Sequence, residues 1–467
     1  MYAYQNTPIA PGEIFRHEDC ALYRYAGDDV PDILFLQGNP YHRGYAHGVL
    51  LADKIAWMCA HMLTLLCGMT GGYTGEGGVP PTGAQVAEGK ALMVAAINAR
   101  LVPAIREELP TFFDELRGLT DGVQTKYPDI TYEDMLIINT TPESVENPHG
   151  CSNVIAFGNA TPDGSLIHGI NMDYNSFGAY HRGITLCFVR PEEGYPYMGV
   201  GYCGSMFPMS FVNEKGISYG EMTSRSAERD WPQLPHWLQA KLMAMRAATL
   251  DEAVTIGKRT GGTSGFINFL CQGQRAVSIE TAGALTQTRG PGSDRLGKDD
   301  LMFTTNFFGV FSPAEEPGSL MKGQADYFSD NHPLLMGRGE EMRATRNLSQ
   351  WIDVMDCPRY KKFEELLPGL YGKLDAEAMK ALMSTFPISR IGEHLTPLYT
   401  FCRNAPLPYG LPPEDLSNRD LASIYCLITE PERGFAHIAA GMEPAQAGRF
   451  MTVRITDGFE VLGALLT

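Results

Sequence analysis

A glycine–cysteine pair opens the run of strands in the middle of this chain. The stretch reads His149-Gly150-Cys151-Ser152-Asn153-Val154-Ile155-Ala156-Phe157 and turns through Thr161-Pro162-Asp163-Gly164. It returns along Gly169-Ile170-Asn171-Met172-Asp173, which brings an acidic residue back 22 positions after the cysteine. A small residue, a cysteine that starts a strand, and an acid on the next strand form the pattern of a chain that cuts its own backbone. The new N-terminal cysteine then serves as the nucleophile.

The residue types follow from the chemistry. A thiol can attack the carbonyl of the preceding residue to give a thioester, which water then opens. Glycine before the thiol tolerates backbone approaches that other residues reach only at a cost. Once freed, the α-amino group of Cys151 has an ordinary pKa of roughly 7.7–8.0. That lies near the working pH, where a general base is most efficient. Nucleophile and base then belong to one residue, and no histidine is needed. The alternatives are a buried cysteine acting as a small hydrophobe, and an uncut cysteine served by His149 or His168.

Composition narrows the partners. The 467 residues carry a net charge of −17, which argues against a nucleic-acid partner and against an anionic membrane surface. Ten cysteines are scattered without any C-x-x-C pair, so ribbon-type zinc and thioredoxin-type readings fail. A reducing, cytoplasmic setting is expected. The N-terminal residues show neither a basic nor an apolar leader region, and no apolar run reaches 18 residues.

The periodicities divide the chain into helical flanks and a strand-rich middle. Apolar residues at spacings of three and four predict a helix over 41–67, then more helix over 84–118 and 131–139. The glycine-rich stretch 68–83 lacks the Gly-Lys-Ser/Thr ending of a phosphate loop and reads as a mobile loop or lid. Strands are expected at 31–40, 152–158, 165–174, 183–190, 197–203, 208–213 and 216–222, with tight turns between several of them. A helix is expected over 234–258 and strands over 266–271, 275–281 and 301–306. Helices follow over 338–354 and 374–385, then strands over 421–428, 433–440 and 449–455. Residues 284–300, 309–330 and 403–420 read as irregular. This order implies an α+β fold with antiparallel sheets covered by helices.

Several segments together resemble the N-terminal-nucleophile hydrolases, and within them the penicillin acyltransferase-like cysteine peptidase family. Choloylglycine hydrolases are more distantly similar. The resemblance rests on Gly38-Asn39-Pro40-Tyr41-His42-Arg43-Gly44-Tyr45-Ala46-His47-Gly48, on Gly150-Cys151-Ser152 and on Asn171-Met172-Asp173. It continues through Asn213-Glu214-Lys215-Gly216-Ile217, Thr263-Ser264-Gly265-Phe266-Ile267-Asn268, Ile279-Glu280 and Thr305-Asn306-Phe307-Phe308. The resemblance implies a four-layer αββα sandwich of two antiparallel sheets. It implies that Cys151 is the nucleophile, that Asp173 orients the freed amine and that Asn268 donates to the oxyanion. It also implies an arginine near Asp173, taken as Arg343 with Arg338 and Arg346 as rivals. Cleavage before Cys151 would leave a helical fragment 1–150 and a fragment 151–467, expected to stay together as one domain.

The implied activity is cleavage or exchange of a linear amide in a small-molecule amide or N-acyl substrate, through an acyl-thioester. No metal or cofactor is expected. The resemblance allows a coenzyme A thioester as acyl donor, which would make the chain an N-acyltransferase. A non-catalytic binding member of the fold is the remaining reading. Two departures matter. Choloylglycine hydrolases carry an arginine three residues before the aspartate, where this chain has Ile170, so bile-salt chemistry is not expected. Phe307 also replaces the histidine of the family's Thr-Asn-His-Phe.

Overall fold

Sixteen strands fall in the described part of the chain, which in this computed structural model covers residues 12–25, 30–73, 80–140, 149–174, 180–230, 233–330, 338–385, 422–441 and 445–465. In chain order they are β1 Glu13–His17, β2 Cys20–Arg24, β3 Asp32–Gly38, β4 His149–Gly158, β5 Gly164–Tyr174, β6 Ile184–Pro191, β7 Tyr197–Tyr202 and β8 Ser210–Asn213. There follow β9 Ser218–Thr223, β10 Phe266–Gln272, β11 Arg275–Ala282, β12 Leu285–Arg289, β13 Leu301–Thr304, β14 Ala422–Glu430, β15 Phe435–Ala440 and β16 Met451–Arg454. They form a ten-stranded sheet, β1-β2-β3-β6-β7-β8-β9-β10-β11-β12, and a six-stranded sheet, β13-β4-β5-β14-β15-β16.

The two sheets face each other across a mixed core. Ser210 Oγ meets Tyr425 Oη at 2.8 Å, and His168 Nδ1 meets Ser218 Oγ at 3.0 Å. The outer face of the larger sheet is covered by helices His236–Arg246 and Leu250–Thr260. On the outer face of the smaller sheet, Gly169 abuts Met379 of the Ala376–Met383 helix. There too, Phe303 packs against Tyr360 and Phe363 of the Pro358–Leu370 helix. The expected α–β–β–α layering is therefore present.

Strand spacing sets how closely the sheets approach. A Cβ at Gly220 would lie 2.1 Å from Asn153 Oδ1, and that oxygen is already tied to His168 Nε2 at 2.9 Å. Gly220→Ala is expected to destabilise the fold by about 1–3 kcal/mol through overpacking. A drop in urea midpoint at unchanged m-value checks this; an unchanged midpoint defeats it.

The structure departs from the sequence reading in several places. β3 pairs in parallel with β6 over seven residue pairs, so the larger sheet is not wholly antiparallel. The segment before Cys151 is not only helical, because it contributes β1, β2 and β3 to that sheet. The helix expected over 41–67 is a succession of Pro40–Leu50, Ala52–Met58, a π-helical turn Cys59–Leu63, and Thr64–Thr70. It bends by 81° between Pro40–Leu50 and Ala52–Thr70; no single described helix is long and apolar enough to cross a membrane. Residues 74–79 of the expected lid and all of 403–420 lie outside the described residues.

Glycines let the first of these helices pack closely. Pro40–Leu50 lies against Phe112–Gln124 so closely that a Cβ on Gly44 would sit 2.0 Å from the Glu115 carbonyl oxygen, and one on Gly118 would sit 2.1 Å from that of Tyr41. Glu115 is buried in this contact. It accepts from Arg43 at 3.0 Å and from Lys241 at 2.7 Å. Burial works to raise its carboxyl, but Lys241 and Arg43 outweigh that and hold it below the ordinary value. The triad ties two helices that precede Cys151 to one that follows it.

Candidate active site

Cys151 lies in β4, three residues into the strand, with β5 on one side and β13 beyond its other edge. Register pairs Gly150 with Asp173 and Cys151 with Met172. Side chains alternate across a strand, so the thiol points into the space between the sheets while Asp173 and Ser152 point toward the Pro358–Leu370 helix. The thiol sits 3.5 Å from Met172 Sδ and is 1% exposed. Burial pushes its pKa well up, and the nearby carboxylates of Glu221 and Asp173 act in the same direction. A hydrogen bond from the Asp173 backbone and the charge of Arg359 oppose them.

The backbone of Cys151 is held on both sides. Its N–H donates to Asn306 Oδ1 at 2.7 Å. Its carbonyl accepts from Arg359 Nη1. The same guanidinium donates to Ser152 Oγ at 3.1 Å and to Asn306 Oδ1 at 2.7 Å. It also lies 3.7 Å from Asp173 Oδ2. Two donors converge on one atom of Asn306, which identifies that atom as the amide oxygen. The Asn306 amide nitrogen then donates to the Thr223 carbonyl at 2.8 Å and, over a longer contact of 3.4 Å, to Thr223 Oγ1.

Asp173 is buried, and burial pushes its carboxyl up. Arg359 and a hydrogen bond donated by Ser423 Oγ act against that shift. Gly150 has no positive φ, so backbone freedom is not what the fold requires of it. What matters is space: a Cβ there would come within 3.3 Å of Arg359 Nη2 and 3.5 Å of Asp173 Cβ.

Two site residues expected from the sequence are placed elsewhere. Asn268 lies in β10 on the helix-covered face, with Oδ1 accepting from Tyr219 at 2.7 Å and Nδ2 donating to Gln239 at 3.2 Å. Neither contact reaches Cys151; Asn306 stands there instead. Arg343 pairs with Asp326 at 2.7 Å on an exposed helix, Arg338 with Glu341 and Arg346 with Glu315. The arginine at Cys151 is Arg359, at the start of a helix absent from the sequence reading. Arg343→Ala is accordingly expected to change turnover by less than twofold and stability by within about 0.5 kcal/mol. A tenfold loss of activity in that variant would restore Arg343 to the site.

The position of Phe307 now has a physical reason. It is buried and packs, tilted, on Tyr360 with ring centres 5.0 Å apart; Tyr360 follows Arg359, so Phe307 anchors the turn that aims the guanidinium. His168 is no base for Cys151. Both its nitrogens are engaged, by Ser218 and Asn153, and burial lowers its pKa to about 3. Of His149 only the backbone is described. Glu280 accepts from Arg289, Gly309 and Val310 and knits a loop to β11.

No protein-family model matches this chain. An uncharacterised protein of Archaeoglobus fulgidus is 22% identical over 450 residues, covering 91% of this chain and 68% of that protein. Among solved structures, an N-acylethanolamine-hydrolyzing acid amidase ortholog of Caenorhabditis elegans is similar at TM-score 0.37 and 15% identity, over 60% of this chain and 93% of that one. A conjugated bile acid hydrolase of Clostridium perfringens is similar at TM-score 0.39 and 9% identity, over 66% and 93%. A penicillin V acylase of Agrobacterium tumefaciens is similar at TM-score 0.35 and 12% identity, over 66% and 86%. These are likenesses of outline alone.

Proposed function

We propose that this chain is a self-processing cysteine hydrolase of the N-terminal-nucleophile type, which cleaves a linear amide through an acyl-thioester on Cys151. The supporting observation is the grip on the Cys151 backbone: Asn306 on its N–H, Arg359 on its carbonyl, and Asp173 opposite Gly150 in the ladder. An ordinary core cysteine needs none of this, because its ladder partners already satisfy its backbone.

In processing, the thiol attacks the Gly150 carbonyl carbon. The C–N bond to Cys151 breaks as the S–C bond forms, and the freed nitrogen takes up the proton. Water then opens the thioester, leaving a Gly150 carboxylate and a free Cys151 thiol and amine. The new amine lies beside the Asn306 oxygen, with the Arg359–Asp173 pair close by. In turnover the amine takes the thiol proton, Cys151 attacks the substrate carbonyl, and the proton passes to the departing amine. In this reading the Asn306 amide exchanges its long contact to Thr223 Oγ1 for one to the oxyanion, and Arg359 holds that amide in orientation.

The fragments 1–150 and 151–467 would remain joined after the cut. β3 stays in the ladder with β6, and Glu115 stays buried against Lys241. N-terminal sequencing of the bands on a denaturing gel tests the reading. Two bands, one beginning Cys-Ser-Asn-Val, support it. A single intact chain in fully active protein overturns it. A product-mass screen over N-acyl amino acids, short peptides and β-lactams then identifies the acyl group and the amine.

A further inference from the structure

The turn between β1 and β2 is built at an unfavourable place for its residues. His17 pairs with Cys20, so Glu18 and Asp19 form a two-residue hairpin loop. Glu18 has φ +49°, a conformation that such loops usually give to glycine or asparagine. The strain brings side chains of three chemistries to one point. Cys20 Sγ lies 3.7 Å from Asp19 Oδ1 and 3.9 Å from His42 Nε2, and His42 Nε2 lies 2.5 Å from Asp19 Oδ1.

The support around this point is independent of it. His42 occupies the first turn of the Pro40–Leu50 helix, where its backbone N–H is capped by Asn39 Oδ1 at 2.9 Å. Its ring packs against Gly38, where a Cβ would lie 3.0 Å away. Its other nitrogen, Nδ1, faces Glu18 Oε2 at 3.5 Å. Gln37 donates to the Asp19 carbonyl at 2.7 Å, while its own Oε1 is buried without a hydrogen bond. Among the described residues, this is the one group of three such donors lying within 4.8 Å of one another.

We propose that Asp19 Oδ1, Cys20 Sγ and His42 Nε2 form a zinc site that staples the β1–β2 hairpin to the first helix. Thiolate, imidazole and carboxylate are the donor set zinc takes, and a carboxylate on the second imidazole nitrogen is the usual support for a zinc-bound histidine. Tetrahedral zinc would set the sulfur edges at about 3.5 Å and the N···O edge at about 3.3 Å. The sulfur distances are close to this already. The N···O contact has to open, and Asp19 and His42 have the room, with side chains 26% and 21% exposed. Binding releases the Cys20 thiol proton to solvent as the Zn–S bond forms.

The test uses the full chain, stripped with a chelator and titrated with zinc alone. About one equivalent should survive gel filtration in the wild type and in Cys151→Ala, and should raise the unfolding midpoint. His42→Ala and Cys20→Ser should retain none, and Glu18→Gln should bind about 10–100-fold more weakly. Cobalt loaded in place of zinc should show a thiolate charge-transfer band that Cys20→Ser lacks. This spectroscopic arm stands even if one variant folds poorly. Failure of the wild type to retain zinc, or retention of a full equivalent by His42→Ala, overturns the site. Neither outcome bears on processing at Cys151.

Discussion

Cys151→Ala is expected to remain a single 467-residue chain and to lose amide turnover by at least about 10⁴-fold, the scale of removing a covalent nucleophile. Under the proposed mechanism one substitution removes two things: the sulfur that would cut the backbone and the sulfur that would carry the acyl group. Fold should survive, because a buried thiol replaced by a methyl loses little volume and the backbone contacts to Asn306 and Arg359 do not use the side chain. Cys151→Ser separates the two roles. A hydroxyl is a poorer nucleophile, so this variant is expected to process slowly over hours and, once cut, to turn over far below wild type. Gel mobility, N-terminal sequencing and a melting curve on each variant make the check. A cut Cys151→Ala chain, or an uncut one with wild-type activity, would refute self-processing by this residue.

The processing step is demanding for a reason visible in the uncut chain. The thiol is buried, and burial together with Glu221 and Asp173 holds it in the neutral form. Arg359 is a cation acting on it, and it is committed to the Cys151 carbonyl, Ser152 and Asn306. Cutting changes the balance. On the proposed cleavage a new amine would appear beside the sulfur, able to remove its proton, and the sulfur would gain a partner of opposite charge. The precursor is therefore expected to be sluggish toward external amides.

How far the site was legible in the sequence depends on range. The Gly150–Cys151 pair and Asp173 are local: a strand, a tight turn and the returning strand bring them together, and the observed register of Gly150 with Asp173 follows from that hairpin. Most strands of the middle region were readable for the same reason. Arg359 was not, because its approach depends on a helix that begins at Pro358 after Cys357, in a stretch the sequence reading left unassigned. A proline in the first turn is a start signal that would have found it. The two asparagines show the limit of motif order. Asn268 and Asn306 both sit in recognisable strings, yet only alternation along β10, fixed by Phe266 stacking on His236 beneath it, turns Asn268 to the helix side. Nor can spacing reveal a ligand set that joins residues 19, 20 and 42 through a strained hairpin.

The second large effect distinguishes those asparagines. Asn306→Ala is expected to lower kcat/KM by about 10²–10³, the range for removing one oxyanion donor, while Asn268→Ala leaves chemistry within a few fold and lowers stability by about 1–3 kcal/mol. The stability term arises because Tyr219 loses a buried acceptor at 2.7 Å. Alanine at 306 also releases Arg359, so the loss would combine two causes. Asn306→Asp helps separate them: it keeps an oxygen where Cys151 N–H and Arg359 Nη2 donate, and it replaces the donating amide nitrogen by a carboxylate oxygen that faces the Thr223 carbonyl. If the oxyanion role is right, the aspartate variant stays nearly as impaired as alanine at saturating substrate, although its charge pairs well with Arg359. Recovery of most activity in Asn306→Asp would make this residue an anchor for Arg359 alone. A rate loss confined to Asn268→Ala would return the oxyanion to β10 and require a rearrangement of that strand on cleavage.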